Sequence, residues 1–305
     1  MTHPAFRPAL LLLGAGALAL AGEAAPAPAA ASDAIIPLNK AKLQIYEDFE
    51  STPVGMVPKG YTKTGAVGVV EGVSHGGTHS LRMEAAVNGP RRIAIQGAPI
   101  TALGGQFWGR LFFKVQLPTP EPQGGGFPVI HSTLVAGSAT SPQFKDAIEV
   151  RLLDTVMGPN HTYQYIYNVQ PRKRGEFGTG SRYDYKFTDE WTLAEWFVDY
   201  ATQTYHLFIN GKEITDVAIH KGAGNYEKVE LPEVWESISF GWNNYQNAGA
   251  GFVAWIDDIA LGKDRIGGEM PAAPGSKGRK APAASVPVPV PVAPPAPTPA
   301  PAPAP

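Results

Sequence analysis

Two acidic runs near opposite ends of the chain are the residues whose types and spacing could do chemistry. Tyr46-Glu47-Asp48-Phe49-Glu50 and Phe252-Val253-Ala254-Trp255-Ile256-Asp257-Asp258-Ile259-Ala260-Leu261 are β-prone and rich in apolar and aromatic residues. Both carry carboxylates where a strand is ordinarily apolar or neutral. Adjacent carboxylates in the first and last strands of one domain repel unless something positive lies between them. Two readings are open. Asp257 and Asp258 are polar strand ends facing water, or the two runs meet around a hard cation such as calcium, which takes oxygens from carboxylates and backbone carbonyls.

A second set of residues suits a sugar-binding sheet face. Period-two alternation along Phe107–Gln116 puts Trp108, Arg110, Phe112 and Lys114 on one side. In the same way His131 pairs with Thr133, and Glu149 with Arg151, opposite Ile148, Val150 and Leu152. Tyr163, Tyr165 and Tyr167 share one face of the next segment, with Gln164 and Asn168 on the other; Trp242, Asn243, Asn244 and Tyr245 cluster at a strand end. Planar aromatics stack on sugar rings, and a guanidinium holds a carboxylate in bidentate fashion. Taken singly, each has a structural alternative: a satisfied histidine, a Glu149–Arg151 ion pair, tyrosines and Trp242 as packing. The locally basic loop Pro171-Arg172-Lys173-Arg174, with Arg182 and Lys186, is either a solvated loop or a steering patch for an acidic polymer.

Other chemistries lack a bearer. No strand carries Glu-x-Asp-x-x-Glu for paired-carboxylate glycoside hydrolysis. There is no phosphate-cradling glycine motif, His-Glu-x-x-His or Gly-x-Ser-x-Gly. With a net charge of −2 and 17% charged residues there is no polybasic footprint, so a nucleic-acid partner is not expected.

The elements that must position these residues are strands. About a dozen β-prone segments alternate with Gly-, Pro- and Ser-rich turns, among them Asn210-Gly211, a hairpin signal; Asp189–Ala194 suggests one helical turn. The expected fold is all-β, a two-sheet sandwich, spanning residues 44–268. Residues 1–25 read as a signal peptide, 26–43 as a pre-domain segment, and 269–305 as a Pro/Ala-rich extended tail. Export, to the periplasm or outside the cell, is therefore expected, with no transmembrane segment. The sequence has no Cys, so an exported core must hold without disulfides, by its size or by a metal.

The series Ile45-Tyr46-Glu47-Asp48-Phe49-Glu50-Ser51, Ser74-His75-Gly76-Gly77-Thr78-His79-Ser80-Leu81, Phe240-Gly241-Trp242-Asn243-Asn244-Tyr245, Trp255-Ile256-Asp257-Asp258-Ile259 and Arg265-Ile266-Gly267 resembles the cellulose-induced-protein family of secreted proteins. The resemblance runs through residues 44–268, strongest at the two ends and weak between 120 and 190. It implies a concanavalin- or laminin-G-like jelly roll similar to alginate and glucuronan lyases, monomeric and acting on uronate-containing or cellulosic polysaccharide. It also implies a calcium ion held by the side chains of Glu50 and Asp257 and the carbonyls of Gly76 and His79. The implied catalytic set is His131 and Arg151 to neutralise a uronate carboxylate, with Tyr165 or Tyr167 as base and acid. From the alternation and clustering above, Arg110, Lys114, Glu149, Gln164, Trp242 and Tyr245 are the expected substrate contacts, Glu149 also matching the family's strand. Glu149 stands where a relative carries His, which weakens carboxylate neutralisation. The alternative is a non-catalytic carbohydrate-binding protein on the same fold.

Overall fold

The computed structural model describes residues 38–267, so the signal-peptide and tail readings lie outside the described residues, as does most of the pre-domain segment. Among the described residues the segments rich in β-branched and aromatic side chains become sixteen strands. They are β1 Leu43–Glu47, β2 Thr62–Thr64, β3 Val67–Glu71, β4 His79–Ala86, β5 Gly89–Gln96 and β6 Gln106–Val115. Then come β7 Ile130–Thr140, β8 Ala147–Met157, β9 Tyr163–Pro171, β10 Phe177–Gly180 and β11 Thr192–Asp199. The last are β12 Thr204–Ile209, β13 Lys212–Glu213, β14 Ile219–His220, β15 Trp235–Asn244 and β16 Phe252–Gly262.

They form two antiparallel sheets, the jelly-roll sandwich. A seven-stranded sheet runs β10-β9-β8-β7-β15-β5-β2. A nine-stranded sheet runs β13-β12-β11-β6-β16-β4-β3, with β1 added to β16 and β14 to β12. The first and last strands are neighbours: β1 pairs with β16, Glu47 opposite Ile259. Asn210 and Gly211 both have positive φ, 49° and 80°, and join β12 to β13 as that dipeptide demands. The expected helical turn at Asp189–Ala194 is absent, because Thr192–Asp199 pairs with β6 and β12 as a central strand. No helix among the described residues is long and apolar enough to cross a membrane.

The core lies between the sheets and is aromatic. Trp196, Trp235, Tyr165, Tyr167, Tyr205, Phe107 and Phe113 are each at most 1% exposed. Two glycines admit the indoles. A Cβ on Gly109 would stand 2.3 Å from Trp196, and one on Gly137 would stand 2.2 Å from Trp235. Each ring therefore covers bare backbone of the neighbouring strand, and no larger residue fits.

Candidate functional site

The polar constellation sits on the outer face of the seven-stranded sheet, in a depression of about 590 Å³ bordered by Arg92, Glu149, Arg151, Gln170, Asn243 and Tyr245. Alternation along β8 sends Ile148, Val150 and Leu152 into the core and leaves Glu149 and Arg151 outside. A β-bulge then changes the parity. Arg151 pairs with Asn168 and Asp154 with Ile166, so two residues of β8 oppose one of β9. Asp154 emerges on the same face as Arg151, whereas strict alternation would have sent it inward with Leu152. That is why it was missed: a lone Asp three residues from an Arg carries no sequence signal of a bulge.

Arg151 is the hub. Its Nε donates to Glu149 Oε1 (3.3 Å), one terminal nitrogen donates to Glu176 Oε1 (3.3 Å), and the other donates to Gln170 Oε1. The Tyr245 ring centroid lies 4.3 Å from the guanidinium carbon, a cation–π contact that leaves Arg151 only 1% exposed. Burial works against its charge, but Asp154, Tyr245, Glu176 and Glu149 together raise its pKa. Arg92 adds a second cation, 3.6 Å from Glu149.

His131, on β7, comes within 2.7 Å of Asp154 Oδ2 through its Nε2, and the ring stands 4.9 Å from that of Tyr245. Asp154 also accepts a bond from the Thr133 hydroxyl (2.8 Å). It is 0% exposed, and burial raises its pKa while His131, Arg151 and Thr133 work to lower it. Where Asp154 is anionic it accepts from Nε2–H, and that tautomer is selected. Arg151, a donor only, lies 3.3 Å from the same nitrogen, so with the proton on Nε2 that approach is an N–H to N–H contact held by its carboxylate partners and not a hydrogen bond. Nδ1 then carries the free lone pair. The backbone secures this arrangement, since Tyr245 N donates to His131 O (3.0 Å) and His131 N to Gln246 Oε1 (2.7 Å). The Tyr245 hydroxyl donates to Glu149 (3.3 Å) and lies 3.2 Å from that of Thr133, whose one proton goes to the nearer Asp154; burial, then Glu149, raises its pKa.

The structure thus brings together His131, Glu149, Arg151 and Tyr245, with Gln164 farther along the same face on β9. Other expected residues lie elsewhere. Tyr165 and Tyr167 point between the sheets: Tyr165 is bonded to Tyr163 (2.8 Å), Tyr167 to the Val229 carbonyl, and burial lifts both phenols well above their usual range. Neither reaches the outer face. Trp242 is core, 1% exposed and edge-on to Phe187 and Phe252. Arg110 and Lys114 belong to β6 in the other sheet. Arg110 is buried against the Gly267 carbonyl (2.6 Å), and Lys114 is held by Asp189 (2.7 Å). Alternation identified their faces correctly but not which sheet carried them.

The acidic ends converge on the glycine turn. Glu50 accepts from Thr78 N (2.9 Å), Thr78 Oγ1 (2.9 Å) and His79 N (2.7 Å). Asp257 accepts from His75 N (2.8 Å), Gly76 N (3.3 Å) and Asp258 N (2.8 Å). Gly77 is required here, because a Cβ would stand 2.4 Å from the Glu50 carboxylate. Burial and the neighbouring Asp258 push Asp257 up to about 8. No three Asp, Glu or His side chains among the described residues converge as a metal cage. What the turn presents to these two carboxylates is the amides of Gly76 and His79, where the resemblance implied their carbonyls. The features here that a hard cation could use are two carboxylates, Glu50 and Asp257, against one turn, neither with a cationic side-chain partner among the hydrogen bonds above.

No family model matches the chain, and no curated protein matches it. Among solved structures it is similar to the cellulose-induced protein Cip1, at 16% identity and a TM-score of 0.47, over 74% of this chain and 100% of that one. It is similar to an endo-β-1,4-glucuronan lyase from the fungus Trichoderma reesei, at 12% identity and 0.46, over 73% of this chain and 96% of that one. It is likewise similar to the alginate lyase Aly36B, at 11% identity and 0.46, over 73% and 97%. No residue role is carried across at these identities.

Proposed function

We propose that this is an exported carbohydrate-active protein whose seven-stranded sheet cleaves a uronate-containing polysaccharide by β-elimination, its two ends fastened by calcium. The observation that carries the reading is the meeting of His131, Arg151 and Tyr245 on one spot, with Asp154 buried behind the imidazole.

Each group has a role. Arg151 stabilises the uronate carboxylate as negative charge develops on it, which makes the C5 proton removable. His131 Nδ1 takes that proton, its tautomer fixed by Asp154. The C5–H electron pair becomes the C4–C5 double bond as the C4–O bond breaks. The Tyr245 phenol, protonated at neutral pH as a tyrosine ordinarily is, gives its proton to the leaving oxygen. Transfer from the imidazolium to the phenolate then restores both. When bound, calcium would supply charge compensation at Glu50 and Asp257, and none of these steps runs through it.

A second reading, glycan binding without cleavage, is favoured by one fact: Arg151 already donates to Glu149, Glu176 and Gln170, so a uronate must displace one of them. The test is ultraviolet absorbance of unsaturated uronate ends on glucuronan, alginate, pectate and glucuronate-bearing xylan. Absorbance that rises with wild type and is lost in Arg151→Ala and Tyr245→Phe supports elimination. A flat trace on every acidic glycan, with retention on an insoluble polysaccharide, supports the binding reading.

A further inference from the structure

One strand away from Arg151 lies a depression of a different character. It has a volume of about 360 Å³ over β9 and the edge strand β10, and is lined by Gln164, Asn168, Glu176, Phe177, Gly178 and Gly180 among others. Gly180, opposite Ile166, keeps it open, since a Cβ there would stand 2.9 Å from Gln164 Oε1 and 3.0 Å from Ile166 Cγ2. Asn168 is the informative residue. It is 6% exposed and its Nδ2 donates to Glu176 Oε1 (2.6 Å), while its Oδ1 has no partner. A buried carbonyl without a donor is costly and marks a place where a donor belongs. The Glu176 side chain that takes the Nδ2 bond is itself half-exposed.

The groups on offer are acceptors: Asn168 Oδ1, the Glu176 carboxylate and Gln164 Oε1. The lining includes no Lys or Arg, and the nearby Arg151 already donates to Glu176 from the groove side. A carboxylate entering here meets a carboxylate, whereas a hydroxyl finds acceptors. Beyond Gln164, whose Nε2 donates to the Tyr183 hydroxyl (3.3 Å), Tyr183 packs edge-on against Phe127, which is 63% exposed. Such an aromatic ledge suits the C–H face of an uncharged sugar ring.

We infer that this depression is a subsite for a neutral, hydroxyl-bearing sugar next to the uronate position. The polysaccharide is then a heteropolymer in which a neutral residue neighbours a uronate, and not a homopolymer of uronates. The inference rests on the proposed reading of the Arg151 position for the uronate alone.

The experiment is calorimetric titration of the full chain with a neutral xylo-oligosaccharide, an oligoglucuronate and a glucuronate-bearing xylo-oligosaccharide, beside Asn168→Ala and Gly180→Ala. Melting temperatures would confirm that both variants fold. The expected result is binding of the neutral oligosaccharide, weakened fivefold to tenfold by Asn168→Ala, as for loss of one neutral hydrogen bond. Gly180→Ala, which fills the depression without touching Asn168, weakens it likewise. Absence of neutral-sugar binding, or equal binding by both variants and wild type, overturns the subsite. The two readings fail separately. Neutral binding that depends on Asn168 with no unsaturated product sinks only the lyase. Product release from oligoglucuronate at the mixed substrate's rate, unchanged in Asn168→Ala, sinks only the subsite.

Discussion

Replacing Tyr245 by Phe isolates the proposed acid, because the structure limits what else the change removes. The ring stays, and with it the 4.3 Å contact over Arg151 and the packing on His131. Only the hydroxyl goes, with its bond to Glu149 (3.3 Å) and its 3.2 Å approach to Thr133. Neither partner is orphaned: Thr133 still donates to Asp154 (2.8 Å), and Glu149 keeps Arg151 and Arg92. Loss of folding stability should therefore stay below about 1 kcal/mol. In a domain of this size that is a fall in Tm of about 2 to 4 °C. Loss of a general acid is larger, about 10²- to 10⁴-fold in kcat, or about 2.7 to 5.4 kcal/mol of barrier. The assay is initial rate of unsaturated-uronate absorbance across substrate concentration, with Tm measured on the same preparations. A fall in kcat with KM little changed places the phenol in the transition state. A kcat within threefold of wild type would refute the role given to Tyr245.

Three further outcomes rest on particular contacts. Glu149→Gln removes one carboxylate that occupies Arg151 (3.3 Å) while keeping the side chain's shape, so affinity for an acidic oligosaccharide should rise severalfold and fall back with added salt; unchanged affinity would show that Glu149 does not compete with ligand. Asp257, raised to about 8 from 3.8, binds its proton more tightly folded than unfolded, so its contribution is full below about pH 4 and is lost as pH rises toward 8. Chelator-treated protein should thus lose Tm between pH 5 and pH 8, calcium should restore it at pH 8, and identical curves with and without calcium would count against the ion. Gly137→Ala drives a methyl into Trp235, at 2.2 Å, and should destabilise by about 1 to 3 kcal/mol, read as a lowered Tm with the circular dichroism of a β protein retained.

Period-two alternation and turn chemistry made most strands legible, because a half-buried strand writes its two faces into its sequence. Strands too short to show a period, such as Thr62–Thr64 and Phe177–Gly180, were not. Alternation also assigned Tyr163, Tyr165 and Tyr167 to one face correctly. It could not say that this face is the core, since phenols suit both a groove and an interior where each hydroxyl finds a partner. Nor could it say which sheet a strand joins, so Arg110 and Lys114 were grouped with residues on the far side of the sandwich. Pairing is a long-range property, set by neighbours distant in sequence.

The site itself depends on where alternation breaks. β7, β8 and β15 are adjacent, and each is irregular at nearly the same level: around Thr133–Ala136, Arg151–Asp154 and Phe240–Asn243. Without the bulge in β8, an odd step from Arg151 would turn Asp154 into an interior of Val150, Leu152 and Tyr205, an unpaired buried charge of prohibitive cost. With it, the same carboxylate meets His131, Thr133 and Arg151. The neighbouring irregularity in β15, at Gly241 with φ 147°, precedes Asn243 and Tyr245 at the same margin. A bulge adds a residue, bends its strand and re-aims the side chains beyond it. Three side by side therefore do what a regular sheet cannot: they collect Asp154, His131, Tyr245 and Arg151 on one outer face while Leu152, Leu153 and Trp242 still fill the core. Chemistry and packing alternate out of step along β8, and the bulge reconciles them.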